Sequence, residues 1–563
     1  MSTRVQPVTH SLGRRVLSVA TASPRVQTAI PLAGLAALFF GTRLALLRRF
    51  PPFLDESLYA SWALRVHDSV NDRFVALAYG KLPLLSWLGA GLIFAGGEPL
   101  DAVRVVSIAA GLASMVVAGL LAARLGGRSA GLAAATLYAV LPLAFVHDVI
   151  GIMEPLVAAL LAVALYLQVR LAERPTWATA FLLGLAMAGG LLTKETGGLA
   201  LVLLPFSLLV FDWREEGRSR RLFAWLGCAL SAVAIAGLGY LVLTLSEYWD
   251  DYPRARTSLG TFRSFGDGIG HPVRWIQSEW SGYRTELVGY TTVLVLLAVV
   301  VGIAFALRRR VWLASLYLVW LLLVFVIDVL FLPNPFARYL VPLAPLLAAF
   351  GGYGVVSGAE ALGRGVRLPQ RFLAIALGLV VLIPAFVFDA RVLANPSTAP
   401  YPGLSRAEYA TGWAAGTGWR PLADELRRRA RSGPIVIASY GGLSEALPLL
   451  LRHDAGIEIV RGEGGRTEPE ATADYVIENG SYRTGLPQDT GFGVLHPVWT
   501  FRRPVAAIPI VLYRRGVIWR GRFFATPESL RAGLGLPDPA FDRFIAAHAE
   551  IRAWYVAESS RGP

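Results

Sequence analysis

The sequence predicts a polytopic α-helical membrane protein with a C-terminal α/β domain outside the membrane. Three observations support this fold class. The 563 residues are 55% hydrophobic and only 16% charged, whereas an average soluble domain is about 25% charged. Apolar segments of bilayer length recur between residues 30 and 390. After residue 392, short strand-like runs alternate with helical runs, which is typical of an α/β domain.

The N-terminal segment is basic. Residues 1–29 contain four arginines and no acid, and they lack the apolar core of a cleavable signal. We therefore expect residues 1–29 to form a cytoplasmic tail.

About eleven transmembrane helices are expected after this tail. A bilayer requires about 20 mostly apolar residues in a helix. The predicted spans lie near residues 30–48, 103–123, 129–146, 153–171, 177–193, 197–212, 222–246, 286–306, 311–332, 337–356 and 372–390. They make up a membrane module at residues 30–391, with outer loops at 49–102 and 247–285.

The arginines between the spans predict the orientation of the chain. Cytoplasmic loops carry an excess of Lys and Arg. If the apolar segment 82–96 lies at the outer interface instead of crossing, every strongly basic loop falls on the cytoplasmic side with the tail. The sequence thus predicts a multi-pass protein of the cell (plasma) membrane whose C-terminal domain, residues 392–563, is extracytoplasmic.

The formal net charge of +14 does not indicate nucleic-acid binding. The arginines lie in short loops rather than in a basic stripe with interleaved aromatic residues. P-loop, G-x-G-x-x-G and H-E-x-x-H motifs are absent from the sequence. The one cysteine, Cys228, excludes an intrachain disulfide. We expect membrane lipids, and no nucleic acid, as partners.

Lysine is almost absent from the chain, which makes its two occurrences informative. Of 53 basic residues only Lys81 and Lys194 are lysine. Lysine is a compact point charge, whereas arginine is a wide planar fork. A site that admits only the smaller cation explains the exception, and chance survival under a codon bias is the alternative.

Acidic residues are expected at the outer face of the membrane. Asp55 and Glu56 follow two prolines that end the first span, and Glu154 begins a later span. These carboxylates are candidates for accepting a proton from a hydroxyl group or for holding a metal ion. The alternative is a role in helix capping, because acids and proline favour the first helical turn.

Cations are expected at the same face. Lys81, Lys194 and Arg338 are candidates for binding a lipid phosphate. Snorkelling to the interface is the alternative for Lys81, and an ion pair with Glu195 is the alternative for Lys194. For Arg338 the alternative is an interfacial anchor together with Tyr339.

Several stretches together resemble the C-type (GT-C) integral-membrane glycosyltransferases, in particular the protein O-mannosyltransferase and aminoarabinose transferase branch (glycosyltransferase family 39-like). They are the acidic pair after the first span, "GKLPLLSW", an acid twelve residues after Pro142, "LTKETG" and "ARYLVPLAPLL". The stretch "EYATGWAAGTGWRPLADEL", residues 408–426, resembles a Y-x-T-G-W-x-x-G-x-G signature of bacterial members. The resemblance extends over residues 30–430.

The resemblance implies the GT-C fold and an enzyme that moves a sugar from a polyprenyl-phosphate carrier to an acceptor, with inversion at the anomeric carbon. By this match Asp55 is the catalytic carboxylate and Glu56 its neighbour, and Lys81 and Arg338 hold the donor phosphate. Glu154 stands where the family usually has Asp, which implies a supporting acid or metal ligand.

Two departures from the family pattern concern the donor headgroup. Leu82 replaces the proline expected after the lysine, and Glu195 replaces the glycine expected after Lys194. Lys194 and Tyr339 complete the predicted donor-phosphate site. The outer loop 247–285 is aromatic and is expected either to cover the site or to form an interfacial belt.

A multi-pass transporter or lipid flippase with an extracytoplasmic partner-binding domain is the rival interpretation. It predicts polar residues near the bilayer midplane and matched broken helices, whereas these charges gather at one face. The sugar, the acceptor (lipid, glycan or protein) and the need for a divalent cation stay open at this point.

Overall fold

A computed structural model of the protein describes residues 24–258, 260, 263–365, 368–440, 443–462, 473–479, 494–505 and 509–559. Most of the predicted tail, residues 1–23, lies outside the described residues.

Helices make up most of residues 24–394, as expected where backbone groups must be satisfied without water. Their bounds are Pro24–Leu47, Leu54–Asp68, Val75–Ala78, Leu84–Phe94, Pro99–Ala139, Pro142–His147, Met153–Glu173, Trp177–Thr193, Leu199–Leu203, Arg218–Leu241, Tyr252–Ser258, Phe265–Gly270, Pro272–Thr291, Val293–Arg309, Val311–Phe331, Ala344–Gly363 and Gln370–Ala394. Short 3-10 turns fill several joints, including Ala337–Leu343.

Six described helices are long and apolar enough to cross a membrane: Pro99–Ala139, Met153–Glu173, Arg218–Leu245, Val311–Phe331, Ala337–Gly363 and Gln370–Ala394. The pair Pro272–Thr291 and Val293–Arg309 passes the same test as one broken span. All eleven predicted spans coincide with helical segments, and the number that cross the membrane stays a prediction. The polytopic helical fold class is confirmed.

Two breaks in the helices bear on the predicted spans, and only the second was unexpected. The helix Pro99–Ala139 contains non-helical backbone at Gly126 and Gly127, which separates the predicted spans 103–123 and 129–146. The predicted continuous span 286–306 is wrong in detail, because the chain bends by 94° between Pro272–Thr291 and Val293–Arg309. Thr292 at this bend has a φ of 66°.

The helix Ala344–Gly363 lies at the centre of the membrane part. It packs mainly against Pro99–Ala139 and Val293–Arg309, and 94% of the most apolar stretch of Ala337–Gly363 is buried. The turn Ala337–Leu343 leads directly into this helix. Residues of that turn are therefore held by the best-buried element of the fold.

The C-terminal part contains a mixed six-stranded sheet. Its strands are β1 (Ile435–Tyr440), β2 (Ile457–Gly462), β3 (Tyr475–Asn479), β4 (Val494–Phe501), β5 (Ile510–Trp519) and β6 (Arg522–Phe524). The order is β2-β1-β3-β5-β4, with β6 paired to β5. β1 is parallel to β2 and β3, whereas β5 is antiparallel to β3, β4 and β6.

Helices accompany this sheet at Trp419–Ala430, Leu443–Leu450, Pro527–Leu534, Asp538–Ala547 and Ala549–Ser559. Apolar side chains of the first two, including Leu422 and Leu447, pack with Ile437 and Leu512 of the sheet. The expected C-terminal α/β fold is confirmed, while the domain limits proposed above stay a prediction.

Candidate active site

Asp55 begins the first helix after the expected first span. Pro51 and Pro52 end the preceding segment, and the new helix runs from Leu54 to Asp68. The Asp55 side chain is 28% exposed, and its Oδ2 accepts a hydrogen bond from Nη1 of Arg338 at 2.7 Å. Two residues that are 283 positions apart in the chain thus form an ion pair.

Arg338 lies at the centre of the charged group. Its Nη1 is also 3.4 Å from Oε1 of Glu408, and its side chain is only 11% exposed. The guanidinium lies 4.8 Å from the ring centroid of Phe336 and 5.5 Å from that of Tyr339. Such cation–π contacts favour the charged arginine in a partly desolvated place.

Glu154 and Lys194 form a second ion pair beside the first. Nζ of Lys194 donates to Oε1 of Glu154 at 2.7 Å and lies 4.5 Å from the centroid of the Tyr339 ring. Burial acts against the charge of Lys194, but the neighbouring Glu154 carboxylate outweighs it and raises the pKa of the ammonium. The alternative pairing of Lys194 with Glu195 is not observed among the described contacts.

Lys81 joins this group without an ion pair of its own among the described residues. It is partly buried. Burial lowers the pKa of the ammonium, and the charge of Asp55 opposes that effect. Lys194 and Arg338 are close enough to lower the Lys81 pKa further. An ammonium in this position attracts an additional anion.

The turn that carries Lys81 is covered by the outer loop. Gly80 has a φ of 65°, and a Cβ there would lie 2.6 Å from backbone atoms of Arg256. Arg256 Nε is 2.9 Å from Oε1 of Glu195, which also accepts a 2.8 Å hydrogen bond from the Tyr252 hydroxyl. The helix Tyr252–Ser258 is therefore fastened over the Lys81 turn.

Glu56 has the contacts of a structural carboxylate. It is fully buried, and Arg104 donates to both of its oxygens, with Nε to Oε2 at 2.9 Å. The backbone N–H groups of Phe53 and Gly151 donate to it at 2.8 and 2.9 Å. These four bonds fix the start of the helix that carries Asp55. A catalytic role for Glu56 stays an untested prediction.

The described residues contain no group of three or more His, Cys, Asp or Glu side chains arranged to hold a metal ion. Asp55 and Glu154 each face a cation instead, at 2.7 Å. This donor set does not fit a divalent cation, so we assign no step to a metal.

Two further acids belong to the neighbourhood and were not predicted as site residues. Glu408 contacts Arg338, although it lies in the 408–426 stretch that was noted only for its resemblance. Asp328 is 2% exposed, its Oδ2 has no hydrogen-bond partner among the described residues, and its charge acts on Lys194. Asp328 could have been found from the sequence, because it is an acid within the apolar segment 311–332 and ionisable residues are rare in such segments.

Comparison with known proteins concerns the sequence and the fold of the chain. Residues 81–240, which begin at Lys81 and include Glu154 and Lys194, match the family model described as dolichyl-phosphate-mannose-protein mannosyltransferase. None of the curated protein sequences matches the chain. The structure of ArnT from Cupriavidus metallidurans bound to undecaprenyl phosphate superposes with a TM-score of 0.54 at 16% identity, covering 87% of this chain and 98% of that chain. This chain has the GT-C fold.

The apo structure of the same ArnT gives a TM-score of 0.53 at 15% identity, with 87% of this chain and 98% of that chain covered. At this identity the likeness concerns the GT-C fold alone. The resemblance predicted from the acidic pair, the lysine motif and "ARYLVPLAPLL" is confirmed at that level.

Proposed function

We propose that the protein is a membrane glycosyltransferase that moves a sugar, a hexose or a pentose, from a polyprenyl-phosphate donor to an acceptor. The acceptor is a lipid, a glycan or a protein of the cell envelope. The reaction takes place at the outer face of the plasma membrane, where the C-terminal domain also lies. Asp55 is the proposed catalytic carboxylate.

The observation that carries this proposal is the convergence of Asp55, Arg338 and Lys81. The Asp55–Arg338 contact is 2.7 Å, and the charges of both act on Lys81. A carboxylate beside two cations matches what the reaction requires: a base for the acceptor and positive charge for the departing phosphate.

The chemistry follows from these groups. The ammonium of Lys81 and the guanidinium of Arg338 bind the donor phosphate and offset the charge that grows as the bond to the anomeric carbon breaks. Asp55 accepts the proton of the acceptor hydroxyl. The oxygen of that hydroxyl attacks the anomeric carbon from the side opposite the departing phosphate. A single displacement inverts the anomeric centre and needs one essential carboxylate, unlike a retaining mechanism with a covalent intermediate.

Lys194, Glu154 and Tyr339 form the proposed wall of the donor site. Because Lys194 is already paired with Glu154 at 2.7 Å, it contributes less positive charge to a phosphate than Lys81 does. The ring centroid of Tyr339 lies 4.5 Å from Nζ of Lys194 and 5.5 Å from the guanidinium carbon of Arg338, so both cations are within cation–π distance of it.

The test is sugar transfer by the purified protein in lipid nanodiscs, after mass spectrometry has identified the lipid that co-purifies. Asp55→Asn should lower kcat by at least about 100-fold, because general-base catalysis contributes roughly 10² to 10⁴, while expression and unfolding temperature stay unchanged. Asp68→Asn is the matched control, since Asp68 is an exposed acid at the other end of the same helix. Unchanged transfer by Asp55→Asn contradicts the proposal.

Glu56→Gln belongs in the same series because it separates the two acids of the pair. Removing this charge leaves Arg104 buried without an ionic partner, so the unfolding temperature should fall markedly. A normally stable Glu56→Gln protein with no activity would instead assign Glu56 to catalysis.

A further inference from the structure

Glu408 brings the C-terminal segment into contact with the proposed catalytic pair. Its Oε1 lies 3.4 Å from Nη1 of Arg338, the same nitrogen that donates to Asp55 at 2.7 Å. One guanidinium nitrogen thus faces two carboxyl groups from distant parts of the sequence.

The burial of Glu408 is otherwise unexplained. The residue is 7% exposed, and its Oε2 is buried without a hydrogen-bond partner among the described residues. Burying a carboxyl group is costly unless it is paired. Arg338 is its only described ionic partner. The interaction with that guanidinium is therefore what compensates the burial of the Glu408 carboxyl group.

The segment that carries Glu408 is held at its start by the membrane part. Glu286 of the helix Pro272–Thr291 accepts hydrogen bonds from the backbone N–H and the hydroxyl of Ser405 at 3.1 and 3.0 Å. A π-helical turn, Ala407–Thr411, follows, and such turns are frequent at functional sites.

The other end of the segment meets the residues that precede Asp55. Phe53 and Ala415 form an antiparallel bridge, and the Leu54 N–H donates to the Ala414 carbonyl at 3.2 Å. A Cβ at Gly416 would lie 1.9 Å from the Pro52 carbonyl oxygen. Glu408 and Asp55 are therefore fixed relative to each other by backbone contacts, with Arg338 between them.

We propose that Glu408 is a positioning residue of the transfer site: it competes with Asp55 for Arg338 and so sets how tightly Arg338 holds the catalytic carboxylate. This inference rests on the proposed function. When Glu408 is ionised, Arg338 is shared between two carboxylates, and Asp55 is a stronger base than it is when paired with Arg338 alone.

The charge of Glu408 itself depends on its surroundings. Burial raises its pKa, Arg338 opposes that rise, and Asp55, Glu286 and Glu154 from three other elements add to it. Together these effects bring the pKa of Glu408 to about 8. Tyr409 and Tyr290 are the neighbouring phenols. Glu408 is thus mostly neutral below pH 7 and becomes charged as the pH rises through about 8.

The test is the pH profile of kcat for sugar transfer, from pH 6.5 to 9.5, in wild type and Glu408→Gln. In wild type kcat should rise as Glu408 ionises and draws Arg338 away from Asp55. Glu408→Gln should match wild type at pH 6.5 and lack the rise, so that its kcat at pH 9 is about three- to tenfold lower. Glu408→Asp keeps the charge and should retain a rise with a shifted midpoint.

Glu425→Gln is the matched control. Glu425 is also a buried acid of the C-terminal part, but it pairs with Arg428 and Arg429, away from Arg338. Its pH profile should follow wild type even if its unfolding temperature falls.

Three results overturn the inference. The first is an identical pH profile of kcat for Glu408→Gln and wild type. The second is an equal loss of kcat at every pH in Glu408→Gln, which indicates a structural role alone. The third is a folded Glu408→Asp protein whose kcat does not rise with pH. If wild type transfers sugar and Asp55→Asn does not, these outcomes leave the proposed function standing. If wild type transfers no sugar at all, both fall.

Discussion

At the scale of single residues, the two lysines of the chain have different surroundings. Lys81 is partly buried on a turn whose preceding glycine touches the backbone of Arg256, and it has no ion pair among the described residues. Lys194 differs, because Glu154 already neutralises it at 2.7 Å. A small unpaired cation fits the first place, whereas an arginine could replace the second without losing its partner.

Lys81→Arg is therefore expected to reduce kcat/KM for the donor by about tenfold, mainly through a higher KM, because a planar guanidinium is wider than an ammonium and presents its charge differently to a phosphate. Steady-state kinetics with a polyprenyl-phosphate sugar measures this. Lys194→Arg is the comparison and should lose less. If Lys81→Arg has wild-type kinetics, the lysine only snorkels to the interface.

Several site residues were predictable from the sequence, whereas Glu408 and Asp328 were not predicted. The loop arginines predicted a common face for Asp55, Lys81, Glu154, Lys194 and Arg338, and these side chains do converge. Glu408 was not predicted because its partner, Arg338, lies 70 positions earlier in the chain. The periodicity of apolar residues predicts helices and strands, but it does not predict contacts between residues so far apart in sequence.

At the scale of secondary-structure elements, hydropathy located every predicted span on a helix because apolar length is what a bilayer selects. It did not locate the 94° bend at Thr292, since two adjacent threonines do not interrupt an apolar segment and a positive φ at one residue cannot be read from composition. The helix Tyr252–Ser258 was likewise read only as part of an aromatic loop, and its contacts with Glu195 and Gly80 depend on the tertiary fold.

The contact between Gly80 and Arg256 predicts the behaviour of this helix. Gly80→Ala introduces a Cβ that would lie 2.6 Å from the Arg256 backbone, at a φ of 65°. Hydrogen exchange of residues 252–258 should therefore become faster than in wild type. Gly91→Ala, where a Cβ meets nothing within 4 Å, is the control and should leave that exchange unchanged. Equal protection in both variants would show that the helix does not depend on the turn.

At the scale of the whole molecule, the two parts of the chain are joined through a strip, residues 411–416. On one side Arg503 donates to the Gly412 carbonyl at 2.7 Å and Asn479 to the Trp413 carbonyl at 3.1 Å. On the other side Ala414 and Ala415 contact Leu54 and Phe53. The sheet domain thus contacts the start of the Asp55 helix through this strip, and its helix Leu443–Leu450 also packs directly against Leu54–Asp68.

Gly416→Val should disturb this junction, because its Cβ would lie 1.9 Å from the Pro52 carbonyl oxygen. We expect a lower unfolding temperature together with reduced transfer, as Asp55 and Glu408 lose their common support. Gly456→Val, at a site with nothing within 4 Å of the added Cβ, controls for the larger side chain. A Gly416→Val protein with normal stability and kinetics would show that the junction is not required.

The bridge between Phe53 and Ala415 also bears on how relatives of this protein can exchange parts. Residue 392 is the predicted boundary between the two parts. A recombination point there would combine the membrane part of one protein with the strip of another, so that residues 411–416 of the second protein would contact Phe53 and Leu54 of the first. We expect hybrids to keep transfer activity only when the crossover falls after residue 418, so that the strip stays with the membrane part that it contacts.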